Sequence, residues 1–275
     1  MPEGDTVHRA ARRLNEVLAG REVTRCDIRV PAFATVDLSG QTVHEVVAIG
    51  KHLLMRIGET TVHSHLKMEG SWHVYRSGSR WRRPAFEARM VLEVGAAPAD
   101  APAGRADGGD EAGWQAVGFA LGELELVPTR DEESIVGYLG PDPLGPSFDR
   151  DEALRRLTAD PERPIGLALL DQRNVAGLGN DYRNEVLFLR GLLPETPIGQ
   201  TDAGAVLDLA VRLIRANRDR VERVTTGDTR RGKRVWVAHR EHEPCRRCGT
   251  RIRMGMLGDD ALTERQTFYC PTCQR

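Results

Sequence analysis

An apolar stripe of helical period opens the chain. Val7, Ala10, Ala11, Leu14, Val17 and Leu18 recur at three- and four-residue spacing, which predicts an amphipathic helix over 3–19 that Gly20 ends. The period then shortens. Strand-like runs cover 23–30, 42–49, 52–57, 61–65, 71–75 and 89–94, and 114–127 in one or two pieces, with turn pairs such as Ser39-Gly40 and Gly58-Glu59 between them. Short strands at such close intervals predict an antiparallel β-sandwich. After Pro128 helical periods return over 151–157, 165–170, 181–189 and 203–221, behind a Gly/Pro-rich turn from Leu139 to Pro146, and the chain closes on strands around four cysteines. The expected fold class is therefore a multidomain α and β chain. It has an N-terminal antiparallel β-sandwich with a flanking helix (2–127), a linker (128–147), a helical domain (148–235) and a cysteine ribbon (236–275). Residues 95–113, rich in Ala, Pro, Gly and Asp with almost nothing to bury, are expected to be a disordered hairpin insertion.

The cysteines give the strongest chemical signal. Cys245, Cys248, Cys270 and Cys273 form two CxxC pairs separated by 21 residues, the spacing of a zinc ribbon and not of a disulfide framework. Four thiolates leave no open position for water, so the expected metal is one structural Zn(2+) per chain, supplying folding energy to a ribbon without a core of its own. Cys26 stands apart in a strand pattern and reads as a small packing residue.

Charge changes the picture only locally. The formal net charge of −1 gives no global sign of nucleic-acid binding, but from Arg212 to Arg275 sixteen Arg or Lys face eight Asp or Glu. A basic last quarter is what phosphate binding requires; a solvated charged face is the plainer reading. Only three lysines occur, Lys51, Lys67 and Lys233, in a chain otherwise charged by arginine. Lysine can give up its proton usefully and arginine cannot, which draws attention to Lys51 and Lys67. No run approaches the roughly 20 apolar residues of a membrane span, and the acidic start Met1-Pro2-Glu3-Gly4-Asp5 is unlike an export signal. A cytoplasmic location without membrane attachment is expected.

The start carries a second chemistry. Removal of Met1, which is general before a small residue, leaves Pro2 with a free secondary amine. An α-amino group titrates near 7.7–8.0, so at pH ~7.4 roughly a quarter of it is an uncharged nucleophile, against about one lysine in a thousand. Such an amine can attack a sugar C1′, and the adjacent Glu3 can move protons. By itself a Met-Pro-Glu start is commonplace.

Several separate segments, in order, resemble the endonuclease VIII / formamidopyrimidine-DNA glycosylase family. Pro2-Glu3-Gly4 before a helix is similar to its catalytic start, and Gly50-Lys51-His52-Leu53-Leu54 to its lysine-bearing strand. Ser64-His65-Leu66-Lys67-Met68-Glu69-Gly70 resembles the loop inserted into the duplex, and Leu139-Gly140-Pro141-Asp142 the interdomain signature. Leu169-Leu170-Asp171-Gln172-Arg173-Asn174-Val175-Ala176-Gly177-Leu178-Gly179-Asn180 resembles the helix–two-turn–helix phosphate grip, and the segment from Arg265 to Cys273 the closing zinc-finger hairpin. The resemblance covers nearly the whole chain outside 95–113. It implies a bifunctional DNA glycosylase and abasic-site lyase of base excision repair, a monomer acting on damaged, double-stranded DNA by β,δ-elimination. Pro2 is then the Schiff-base nucleophile, Glu3 the proton donor in base loss, and Lys51 and Arg265 the proton donors for β- and δ-elimination. Asn180 binds phosphate, Met68 wedges into the base stack and Lys67 lines the same loop. Bases buried in a duplex must be flipped out to react, and an apolar wedge fills the gap.

Four departures qualify the likeness. Thr6 replaces a usual acidic residue, and Tyr138 stands where one branch has a DNA-contacting arginine. No arginine–phenylalanine gap-filling pair is evident near Ala116-Val117-Gly118-Phe119, and 225–235 is short for an oxidised-purine recognition loop. The last two favour the endonuclease VIII branch and oxidised pyrimidines. The competing readings are an oxidised-purine glycosylase, a catalytically silent zinc-ribbon DNA-binding protein, and a structural zinc-ribbon adaptor. Without the resemblance Asn180 is a helix N-cap, Met68 a packing residue and Arg265 a surface arginine.

Overall fold

The computed structural model describes residues 2–95 and 113–275; the expected insertion falls almost wholly on 96–112, outside the described residues. The chain divides into two compact units, one of Pro2 and Thr6–Tyr138, the other of Glu3–Asp5 and Leu139–Arg275.

In the first unit the helical stripe forms α1 (Gly4–Leu18), and the short runs form β1 (Val23–Ile28), β2 (Val43–Ile49), β3 (His52–Ile57), β4 (Thr60–His65), β5 (Ser71–Arg76), β6 (Ala88–Val94), β7 (Trp114–Phe119) and β8 (Glu123–Pro128). They pair antiparallel in two four-stranded sheets, β1-β6-β7-β5 and β2-β3-β4-β8. Leu14 and Leu18 of α1, Leu53 and Val62 of one sheet and Met90 and Leu92 of the other share one core, which makes the pair a sandwich closed by the helix. The run 114–127 breaks because Ala120 takes φ +46, after which the chain passes from one sheet to the other.

The stretch 128–147 is not a free linker. Residues 129–138 fold back on the sandwich, where a helical turn that the hydrophobic pattern did not predict, α2 (Glu133–Val136), follows Glu132. Glu132 accepts from Arg56 (2.8 and 2.7 Å) and also binds the hydroxyl of Thr61. From Leu139 the chain joins the second unit, with Gly140 N–H donating to Gln172 O (2.8 Å) and Ala176 N–H to Pro141 O (3.1 Å).

The second unit holds α3 (Arg150–Leu157), α4 (Ile165–Ala168), α5 (Asn180–Arg190) and α6 (Ala203–Asn217), then a hairpin of β9 (Arg253–Leu257) and β10 (Arg265–Tyr269). Every residue from Tyr182 to Phe188 of α5 is buried. One side of this helix packs with α3, α4 and α6; Phe188 packs with Val237, Ile252, Phe268 and two of the cysteines. The ribbon is thereby seated on α5 and belongs to the same compact unit as the helices. Helix α6 stops at Asn217, four residues short of the predicted end. The buried Asn217 amide donates to Leu213 O and Val224 O and accepts from Val224 N, so its side chain captures the returning backbone. No described helix is long and apolar enough to cross a membrane.

Candidate active site and metal centre

The helix α5 begins where the glycine-rich turn ends, and this turn is tightly determined. Gln172 donates to Leu170 O and Leu178 O and accepts from Gly177 N, while Gly177 takes φ +86, a value suited to glycine. Gly177 O accepts from Gly4 N (2.9 Å), which ties the chain start to the turn.

Glu3 is the centre of this arrangement. Its carboxylate, completely buried, accepts from Gly179 N (2.9 Å) and Asp181 N (2.8 Å). A helix N-terminus leaves N–H groups without intrahelical partners and carries partial positive charge. Here a side chain from far away in sequence satisfies two of the N–H groups at this terminus. Gly179, not Asn180, occupies the N-cap position, and no cap side chain of its own bonds the helix. The N-cap reading of Asn180 is therefore incorrect: Asn180 is the first helical residue, its amide donating to Gln266 O (2.9 Å) and accepting from Arg183. Gln266 follows Arg265, so Asn180 holds the backbone beside that arginine. Arg265 itself is exposed at the first pair of the hairpin and donates to Glu264 O.

Three further residues complete the charge balance, and sequence reasoning missed all of them. Arg223 donates to Asp5 (3.1 and 2.9 Å) and Asp181 (2.5 Å), lies 3.6 Å from Glu3 Oε1, and stacks on Tyr182 at 4.5 Å. Burial opposes its charge, but the surrounding carboxylates outweigh this and hold its proton more firmly than usual. His239 Nε2 meets Asp181 Oδ1 at 2.9 Å, which raises the imidazole pKa. Burial works against the Asp181 carboxylate, yet His239 and Arg223 hold its pKa below the ordinary range. Arg183 is the third. It is buried, which pulls its pKa down to about 10, and its Nε and Nη1 have no hydrogen-bond partner. Arg183 alone carried a signal, a charged residue inside the largely apolar run of α5; Arg223 and His239 lie outside the helices and carried none.

Pro2, half-buried, precedes Glu3 directly in the chain. Lys51, Lys67 and Met68 belong to the sandwich unit. Gly50 (φ +59) and Lys51 form the two-residue turn between β2 and β3, with Ile49 paired to His52. Lys67 takes φ +51 in the turn after β4 and pairs with Glu123 at 2.5 Å, while Met68 beside it is 68% exposed. Lys51 and Lys67 both act electrostatically on His65.

The four cysteines form the candidate metal centre. Their sulfurs all lie within 4.8 Å of one another, with Cys245–Cys273 at 3.9 Å and Cys248–Cys270 at 3.4 Å. A tetrahedral ion with bonds of about 2.3 Å places its sulfur ligands roughly 3.8 Å apart, so the donor set and spacing fit zinc.

Sequence profiles of the formamidopyrimidine-DNA glycosylase N-terminal domain and H2TH domain match residues 1–102 and 139–217. The chain is 50% identical to a probable endonuclease 8 2 of Streptomyces coelicolor, over all of this chain and 94% of that one. The chain belongs to the endonuclease VIII / formamidopyrimidine-DNA glycosylase family. It lies in the endonuclease VIII branch. A DNA-(apurinic or apyrimidinic site) lyase Nei2 of Mycolicibacterium smegmatis is 45% identical over 100% and 99% of the two chains, whereas a formamidopyrimidine-DNA glycosylase of Alkalilimnicola ehrlichii is 30% identical over the full length of both. The fold is also that of the Lactococcus lactis Fpg in complex with abasic-site DNA, with a TM-score of 0.77, 22% identity and 99% of each chain covered.

Proposed function

We propose that this protein is a bifunctional DNA glycosylase and abasic-site lyase of base excision repair that removes oxidised bases, pyrimidines in particular, from duplex DNA. The observation that carries this reading is the Glu3 carboxylate, buried directly after Pro2 and held by two N–H groups of the α5 terminus. The Pro2 amine attacks C1′ of the flipped nucleotide, the bond from C1′ to the base breaks, and the base leaves with a proton delivered through Glu3. The resulting iminium makes the C2′ proton acidic, and its loss expels the 3′ phosphate; loss of the C4′ proton from the conjugated iminium then expels the 5′ phosphate. Lys51 and Arg265 serve as proton donors in these two eliminations. Asn180, at the end of the glycine-rich turn, grips phosphate, and Met68, with Lys67 lining the same loop, fills the gap left by the flipped base.

Within this reading Cys245, Cys248, Cys270 and Cys273 hold one structural zinc ion, which fixes the hairpin carrying Arg265. The enzyme acts as a cytoplasmic monomer. Borohydride trapping on duplexes with defined lesions tests the mechanism and the substrate together. The parent should form a covalent adduct on an oxidised pyrimidine; Pro2→Ala, or a form that keeps Met1, should lose most of it. Equal trapping by Pro2→Ala, with the adduct on Lys51, would falsify the assignment of the nucleophile.

A further inference from the structure

The outer face of the sheet β2-β3-β4-β8 carries an ordered polar cluster instead of the solvated side chains expected there. Cross-strand register places His52 opposite His65 and His63 opposite Glu125, all on one face, while Leu53, Val62 and Leu124 point into the sandwich core. His52 and His63 are diagonal neighbours, and both are buried. Four groups connect in sequence. Glu125 Oε2 lies 3.3 Å from His63 Nδ1, His63 Nε2 lies 2.9 Å from His52 Nδ1, and His52 Nε2 lies 3.1 Å from the Tyr138 hydroxyl. Glu125 and Tyr138 are exposed, so the chain of bonds runs through the protein from one exposed group to another.

The direction of these bonds is fixed by chemistry. An ionised carboxylate only accepts, so His63 donates from Nδ1. A neutral His63 then accepts at Nε2, which makes His52 donate from Nδ1 and accept at Nε2. Tyr138 must donate inward. Burial lowers the pKa of both imidazoles, that of His52 to about 4, which keeps them neutral. His65 differs, because its Nδ1 accepts from Lys67 N (3.0 Å), leaving its proton on Nε2. His52 is also the residue that pairs across the turn carrying Lys51.

We propose that Glu125, His63, His52 and Tyr138 form a one-way hydrogen-bond relay that positions the Lys51 turn for strand cleavage. The four are positioning residues, and the proposal rests on the reading of Lys51 as a proton donor in elimination. The relay clamps the His52 ring at both nitrogens, so the backbone leading into Lys51 has one orientation. Each link depends on the next, and the acceptor-only end at Glu125 sets the whole chain.

Imidazole ¹⁵N resonances and single-turnover cleavage of a preformed abasic-site duplex test it. In the parent, His52 and His63 should both carry the proton on Nδ1 and His65 on Nε2. Glu125→Gln, an exposed conservative change whose amide can either donate or accept, should mix the His63 and His52 tautomers. The same variant and Tyr138→Phe should slow strand cleavage about tenfold while base excision stays within twofold. Nε2–H protons on His52 and His63 in the parent, or unmixed tautomers in Glu125→Gln, overturn the relay. Parental cleavage by both variants overturns its effect on Lys51. Lys51→Ala run alongside separates the two ideas: if it cleaves normally, the reading of Lys51 falls and the positioning role with it, whatever the tautomers show.

Discussion

Substituting Gly179 by alanine adds one methyl group at the most constrained point of the candidate site. Its backbone, φ −136 and ψ −162, is extended and acceptable to any residue, so no conformational strain is introduced. The conflict is steric. A Cβ at this position would lie 2.5 Å from Glu3 Cδ and 2.7 Å from both Cγ and Oε1, about an ångström inside ordinary contact. Glu3 is enclosed on all sides and cannot swing into solvent. Relief therefore requires the carboxylate to leave Gly179 N, Asp181 N or both. Hydrogen bonds to a charged group contribute roughly 1.5–3 kcal/mol each, so the expected loss of stability is about 3 kcal/mol. The N-cap exchange of glycine for alanine adds at most about 1 kcal/mol. A displacement of about an ångström in a proton-transfer group can slow a reaction about a hundredfold. Single-turnover excision of an oxidised pyrimidine and urea unfolding should thus both report the change. Gly204→Ala, where the nearest atom would be 3.5 Å away, serves as the control and should change little. Gly179→Ala with the parental urea midpoint and parental excision would refute the claim that this glycine makes room for the Glu3 carboxylate.

The zinc site and Arg265 should separate on metal content. Cys248→Ser is expected to release zinc and weaken both DNA binding and cleavage, whereas Arg265→Ala keeps stoichiometric zinc and its fold but processes lesions poorly; undiminished activity in a zinc-free protein would sink the structural role of the metal. Asn180→Ala removes the bond to Gln266 O and should weaken binding to damaged and undamaged duplexes alike. Equal affinities for parent and variant across a salt series would remove Asn180 from the phosphate grip. Buried histidines set an acid limit on stability. His52 and His65 fall from 6.5 to about 4 through burial, so the unfolded chain binds more protons between these values. The stabilisation carried by these two imidazoles is complete above about pH 6.5 and is lost as pH falls toward 4, by at most roughly 3 kcal/mol for each before solvent screening of the partly exposed rings reduces it; a flat urea midpoint across that window would contradict it.

The sandwich was legible because many short strand-like runs, several of them parted by turn pairs such as Ser39-Gly40 and Gly58-Glu59, recur at close intervals before Pro128. The ribbon was legible because four cysteines at that spacing have few other uses. What could not be read was anything depending on which distant residues meet. The pattern left 129–138 as linker because Glu133–Val136 is too short to show a period, and what anchors this segment is Glu132 against Arg56 and Thr61. The end of α6 was missed because Asn217 stops it through Val224, a contact that exists only after folding.

The same limit explains why Pro2 and Glu3 stood out while Arg223 did not. Glu3, Asp5 and Asp181 bring three carboxylates to one buried place, which in isolation would be strongly unfavourable. Arg223 is what permits it, touching Asp5 and Asp181 directly and standing 3.6 Å from Glu3. The contacts divide in kind: two backbone N–H groups orient the Glu3 carboxylate, while the guanidinium's direct bonds go to its neighbours Asp5 and Asp181. One arginine among many thus offsets the charge of a cluster whose Glu3 and Asp5 lie at the opposite end of the sequence. Its role follows from position, because nothing in the residues around 223 distinguishes it from the other arginines of a basic tail.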